Sequence, residues 1–95
     1  IMIVVGKKLL FEYLRKNVNA KAALSAWVTE AERACWKTPQ DIKKRYSTAS
    51  FLHGNLVVFN IKGNNYRLVV VVLYEEEIVR IKWIGTHSEY DRQKF

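Results

Sequence analysis

The run Leu56-Val57-Val58-Phe59-Asn60-Ile61-Lys62-Gly63-Asn64-Asn65-Tyr66-Arg67-Leu68-Val69-Val70 decides the fold. Two stretches rich in β-branched and aromatic residues flank a Gly-Asn pair, the sequence form of two antiparallel strands joined by a tight turn. With Gly63-Asn64 as a two-residue loop, Val57, Phe59 and Ile61 share a face with Tyr66, Leu68 and Val70. That face is the core, and Asn60 and Arg67 fall on the other.

Downstream, the second strand continues from Tyr66 to Tyr74 and a third runs from Glu77 to Ile84. A two-residue loop at Glu75-Glu76 adds Val72, Tyr74, Val79, Ile81 and Trp83 to the buried side. The opposite face then carries Asn60, Lys62, Arg67, Arg80 and Lys82, whereas a one-residue slip would scatter these polar groups over both faces. Glu75-Glu76 lacks the Gly or Asn that tight turns prefer, so a longer loop with a bulge is the alternative. Upstream, Ser50 to His53 reads as a further strand, turned at Gly54-Asn55.

Further upstream the period changes to that of helices. Met2 to Val5 is a strand, and Lys7 to Lys16 carries Leu10, Tyr13 and Leu14 at helical spacing. Ala20, Ala23, Leu24, Trp27, Val28, Ala31, Ala34 and Cys35 form one apolar stripe, the main amphipathic helix. Thr38, Pro39 and Asp41 announce a third helix to about Arg45, and Thr86 with Glu89 forms a capping box opening a short last one. The fold class is therefore α+β, with an N-terminal strand and helices packed on one face of a four- or five-stranded antiparallel sheet and a short C-terminal helix. Trp27 and Trp83 should both be buried against that sheet.

The 95 residues, 49% hydrophobic, suffice for one domain spanning 1–95. Sixteen Lys and Arg against nine Asp and Glu leave a formal charge of +7, which favours a polyanionic partner: nucleic acid, ribosome or an acidic protein segment. The longest apolar stretch, Arg67 to Tyr74, is too short for a membrane span, and no charged-then-apolar leader opens the chain, so a cytoplasmic protein is expected. Cys35 is the only cysteine; at apolar helical spacing it is expected as a small buried hydrophobe.

Cutting RNA without a metal needs a base for the 2′-hydroxyl, cations for the phosphorane, an acid for the leaving oxygen and something to hold the bases. The polar sheet face offers Arg67 and Arg80 as guanidinium forks, and Lys62 and Lys82 as point charges or proton carriers. The last helix adds His87, Tyr90 and Asp91, whose spacings of three and four put them on one side of a helix. Singly, each has an ordinary role: a structural histidine, a core tyrosine, a surface carboxylate, solvating charges. Only convergence with Arg67 makes the functional case. No metal ligand set and no cofactor motif can be read, since Glu75, Glu76 and Glu77 are consecutive and His53 and His87 lie far apart.

The segment Val58 to Leu68 followed by Ile84-Gly85-Thr86-His87-Ser88-Glu89-Tyr90-Asp91 resembles HigB toxins, members of the RelE superfamily. The stretches Ala34 to Lys43 and Ser47 to Ser50 are similar too, so the likeness covers nearly the whole chain. The resemblance implies a RelE-like fold and an endoribonuclease that enters the ribosomal A site, cuts messenger RNA there and is silenced by a helix-turn-helix, HigA-like antitoxin. It implies catalytic positions at Lys62, Arg67, His87, Tyr90 and Asp91, with His87 or Asp91 as proton acceptor. Asn60, Arg80 and Lys82 are candidate RNA contacts from the register, and Lys43, Lys44, Arg45 and Trp36 would help dock ribosomal RNA, although Trp36 reads equally as a core residue. Two other classes fit the same surface: an RNA-binding module that does not cut, and a protein whose basic face grips only an acidic partner.

Overall fold

The computed structural model describes residues 1–95. A strand β1 (Ile3–Val5) leads into α1 (Lys7–Leu14), a 3-10 turn (Val18–Ala20), α2 (Lys21–Arg33) and α3 (Pro39–Arg45). Then come β2 (Ser50–Leu52), β3 (Leu56–Ile61), β4 (Tyr66–Leu73), β5 (Ile78–Thr86) and α4 (His87–Asp91). The five strands form one sheet in the order β1-β5-β4-β3-β2. Four of them are antiparallel as expected, but β1 joins β5 in parallel, so the sheet is mixed. The reason is the intervening helical segment, a crossover of the kind a parallel pair requires.

Register between β3 and β4 follows the alternation: Ile61 opposes Tyr66, Asn60 opposes Arg67 and Phe59 opposes Leu68. The loop is longer than the two residues expected, with Lys62 as well as Gly63 at positive φ and Asn65 N–H donating to Lys62 O at 3.2 Å. Lys62 therefore belongs to the turn, not to the strand face. Parity is preserved because a loop lengthened by one residue on each side leaves every cross-strand pair unchanged. The hairpin before it differs: Leu52 opposes Leu56 across His53, Gly54 and Asn55, one residue more than the expected loop.

Helices α1 to α3 cover one face. Phe59 is fully buried beneath Trp27, Trp36 and Tyr46, with ring centroids 5.2, 6.0 and 5.0 Å away. Leu24, Ala31, Ile42, Leu68, Val70, Val72, Val79 and Ile81 complete that core. Trp27 is buried as expected. Trp36 is buried too, at 5% exposure, which takes its ring away from RNA and makes it a core residue. Cys35, in contrast, is exposed, because α2 ends at Arg33 and the chain turns extended at Ala34, carrying Cys35 off the stripe.

Capping is legible at both short helices. Thr38 and Asp41 exchange side-chain and backbone hydrogen bonds at the start of α3, as Thr86 and Glu89 do at α4. No helix is long and apolar enough to cross a membrane.

Candidate functional site

A β-bulge in β5 builds the site. Val70 opposes Ile81, yet Val69 opposes Trp83, leaving Lys82 as an extra residue in the ladder. Beyond it every β5 side chain changes face. Ile84 enters the core, and Trp83, expected there, lies on the open face in a cross-strand row with Val69 and Val58. The alternation Val79, Arg80, Ile81, Lys82, Trp83 concealed this change, since Trp83-Ile84 is apolar in either register.

The same shift sets the chemistry. Arg67 pairs with Gly85 and Tyr66 with Thr86, so α4 starts directly beside the hairpin loop and His87 N–H donates to Asn65 O at 3.0 Å. Arg67 is thereby brought to His87. Its Nη1 donates to the carbonyls of Asn64, at 3.1 Å, and Tyr66, at 3.3 Å; its Nη2 donates to Asn64 Oδ1 at 3.0 Å and reaches His87 Nδ1 at 3.1 Å.

A guanidinium has no acceptor, so Nδ1 presents its lone pair in this contact, and a neutral His87 carries its proton on Nε2. Nε2 faces Asp91 Oδ2 at 3.6 Å, beyond a direct hydrogen bond but within the range of an ion pair. Both side chains are at least half exposed. The arrangement is an open chain of cation, imidazole and carboxylate, accessible from the solvent side of the sheet.

Beside it lies an aromatic floor. Trp83 packs against Tyr90 at 6.2 Å and Phe95 at 5.8 Å, and the Tyr90 and Phe95 rings stack with planes 14° apart. Gly85 makes this floor fit: a Cβ there would sit 2.4 Å from Trp83 Cη2. Gly85, Trp83 and Asn64 are the functional candidates that sequence reasoning missed. For Asn64 only the Gly-Asn turn hinted at a role, and for the other two nothing short of the bulge would have.

Of the remaining candidates, Asn60 pairs across the ladder with Arg67 and shares its face. Lys62, at the loop tip, makes no side-chain hydrogen bond; it joins Asn60, Arg45 and Tyr46 around a shallow recess of about 160 Å³. Arg45 is held there by Glu30, with Nε 2.7 Å from Oε2. Burial and the Glu30 contact push the Tyr46 hydroxyl well above the usual tyrosine range. Lys43 donates to Ala49 O at 2.8 Å and lies over the Phe51 ring, whereas Lys44 faces solvent. Arg80 shares the open face but opposes Val71, about 13 Å along β4 from Arg67, so it does not join the Arg67 cluster. Lys82 is exposed within the bulge. No group of three or more His, Cys, Asp and Glu side chains gathers where a metal could be held.

Residues 20–93 match the model of HigB_toxin, the RelE-like toxic component of a toxin-antitoxin system. The chain is 29% identical over 92 residues to the mRNA interferase toxin HigB of Escherichia coli (strain K12), covering 95% of this chain and 88% of that one. The mRNA interferases HigB of Escherichia coli O157:H7 and Shigella flexneri match to the same extent. The observed α+β architecture is consistent with a RelE-like fold, and the chain belongs to the HigB toxin family, RelE-like toxic components of toxin-antitoxin systems.

Proposed function

We propose that this chain, acting as one domain over residues 1–95, is a metal-independent endoribonuclease that cleaves messenger RNA on the ribosome in the cytoplasm. A HigA-like helix-turn-helix antitoxin silences it. The observation that carries this reading is the contact between Arg67 Nη2 and His87 Nδ1 at 3.1 Å, continued through His87 Nε2 to Asp91.

In the resting arrangement all four Nη hydrogens of Arg67 have internal acceptors. An incoming phosphate exchanges for the His87 contact: the guanidinium turns a hydrogen to a phosphate oxygen, and Nδ1 is freed to accept the proton of the adjacent 2′-hydroxyl. Asp91 supports the Nε2–H tautomer and stabilises the imidazolium that forms. The 2′-oxygen attacks phosphorus, the bond to the 5′-oxygen breaks, and a 2′,3′-cyclic phosphate remains on the upstream fragment. We assign Lys62 to donate the proton to the leaving 5′-oxygen. Arg67 neutralises the extra negative charge of the phosphorane, the role a metal plays in other nucleases.

Tyr90 and Trp83 offer ring faces on which a splayed base can stack. Asn60, on the Arg67 face, supplies an amide toward the same strand. Lys82 and Arg80 extend positive charge along the open face, and Lys43, Lys44 and Arg45 add it at the α3 end, where Lys44 is the cation left to solvent for ribosomal RNA. The test is to induce the wild type and Arg67→Ala in cells and map transcript ends: new 3′ ends bearing cyclic phosphate should appear only with the wild type.

A further inference from the structure

The most exposed aromatic ring in the protein is that of Phe11, 62% exposed on α1. It borders a groove of about 220 Å³ between α1 and α2, whose apolar walls are Leu10, Phe11, Leu14, Leu24 and Val28. Leu10 and Leu24 serve the core, but Phe11 points away from it, and the residues facing it on α2, Ser25 and Thr29, are too small to cover it. An apolar groove left open beside an exposed aromatic ring marks a contact site.

Charge states what the contact partner is. Lys8 on α1, Arg15 and Lys16 just past its end, and Lys21 and Arg33 on α2 are exposed and engage in no ion pair, while Lys7 is paired with Glu32. Against those five free cations stands one exposed, unpaired acid, Glu12. An acidic partner is favoured and a second copy of this chain, itself at +7, is repelled.

Shape completes the choice. The walls are helices whose backbone groups are already bonded, so an extended segment would find no ladder to join, whereas a helix arrives with its own hydrogen bonds made. A concave groove also suits an inserted helix ridge better than a lipid surface, which calls for a convex apolar face.

We propose that the α1–α2 groove seats an acidic amphipathic helix of the antitoxin, presenting apolar residues at spacings of three and four to Phe11, Leu14 and Val28 and carboxylates to Lys8, Arg15, Lys16 and Lys21. This rests on the reading that the chain is silenced by an antitoxin. The groove lies on the helix-covered side of the sheet and the Arg67 cluster on the open side, so partner binding and RNA cleavage are separable.

The probe is a stapled helical peptide about four turns long, with a Leu ridge and Glu elsewhere, and a control with Lys replacing every Glu. Calorimetry should show the Glu peptide binding the wild type and Arg67→Ala alike, at least tenfold more weakly to Phe11→Asp, and more weakly as salt rises; the Lys peptide should not bind. RNA cleavage by Phe11→Asp should match the wild type. Should Phe11→Asp melt early, Lys8→Glu with Lys21→Glu must still weaken the Glu peptide. Equal binding of both peptides, or Glu-peptide binding that survives Phe11→Asp, overturns the proposal. So does Phe11-dependent binding to phosphatidylserine vesicles without peptide binding, or Phe11-dependent self-association in sedimentation. Loss of cleavage by the wild type with peptide binding intact would instead refute the ribonuclease reading and leave the groove standing.

Discussion

Arg67 and His87, twenty residues apart, meet at 3.1 Å because one extra residue in β5 moves the start of α4 by one position along β4. Were Lys82 taken into the ladder instead of bulged out of it, Arg67 would oppose Ile84 and the chain would enter α4 out of line with it. The bulge is thus the local irregularity on which the cluster depends.

Gly85 is the corresponding packing constraint. Gly85→Ala places a methyl 2.4 Å from the Trp83 indole, and the ring must leave its seat. A stability loss of about 1 to 3 kcal/mol is expected in denaturant titration, with a change in near-ultraviolet dichroism from the Trp83, Tyr90 and Phe95 cluster. An unchanged spectrum would show that the indole does not lie over Gly85.

Asn64 orients Arg67 through both its carbonyl and its side chain. Asn64→Ala keeps the carbonyl and removes Oδ1, so the cleavage rate should fall about tenfold with little change in KM. Asn64→Asp should act differently: its carboxylate competes with phosphate for the guanidinium, raising KM as well. Arg67→Lys should not restore activity lost in Arg67→Ala, because an ammonium cannot offer two parallel donors. Identical kinetics for all the Asn64 variants would remove the positioning role.

The strand alternation from Leu56 to Val72 was sufficient to assign the core face, and the Thr38 and Thr86 caps fixed two helix starts, because each rests on local rules of backbone and burial. What was illegible depends on non-local fit. Nothing in Ile81-Lys82-Trp83-Ile84 says that Lys82 is skipped in the ladder, so Trp83 was misplaced and Gly85 overlooked. Likewise, the parallel β1–β5 pair follows from where the helical segment returns the chain, and the burial of Trp36 from Phe59 lying beneath it. The candidates Arg67, His87 and Asp91 were chosen from spacing and resemblance, and the structure brings these three together, with Tyr90 on the same short helix. Arg80 was grouped with Arg67 because sharing a face does not report distance along it.

The helix layer can be tested separately from the site. Trp27 is 3% exposed against Phe59, and Trp27→Ala should cost about 3 to 5 kcal/mol in urea unfolding. A loss below about 1 kcal/mol would mean that the α2 stripe does not pack on the sheet.

Alkaline pH should weaken the fold. Burial, then the charge of Glu89 and neighbouring Tyr66, pushes the Tyr13 hydroxyl up to about 12 from 10.0, and burial raises Tyr74 as well. A raised folded-state value means that the native state holds the proton more tightly than the unfolded chain. The contribution is complete below pH 10 and is lost as pH rises towards about 12. The melting temperature should therefore drop across that window, and by less in Tyr13→Phe. An equal drop in both proteins would contradict the assignment.

The measurement that bears most directly on the central claim is cleavage of a defined messenger RNA on programmed ribosomes by purified wild type and Arg67→Ala, with and without EDTA. The account predicts fragments ending in 2′,3′-cyclic phosphate from the wild type, unaffected by EDTA, and a rate lower by roughly 100-fold or more from a folded Arg67→Ala. Cleavage abolished by EDTA, or undiminished in Arg67→Ala, would contradict it.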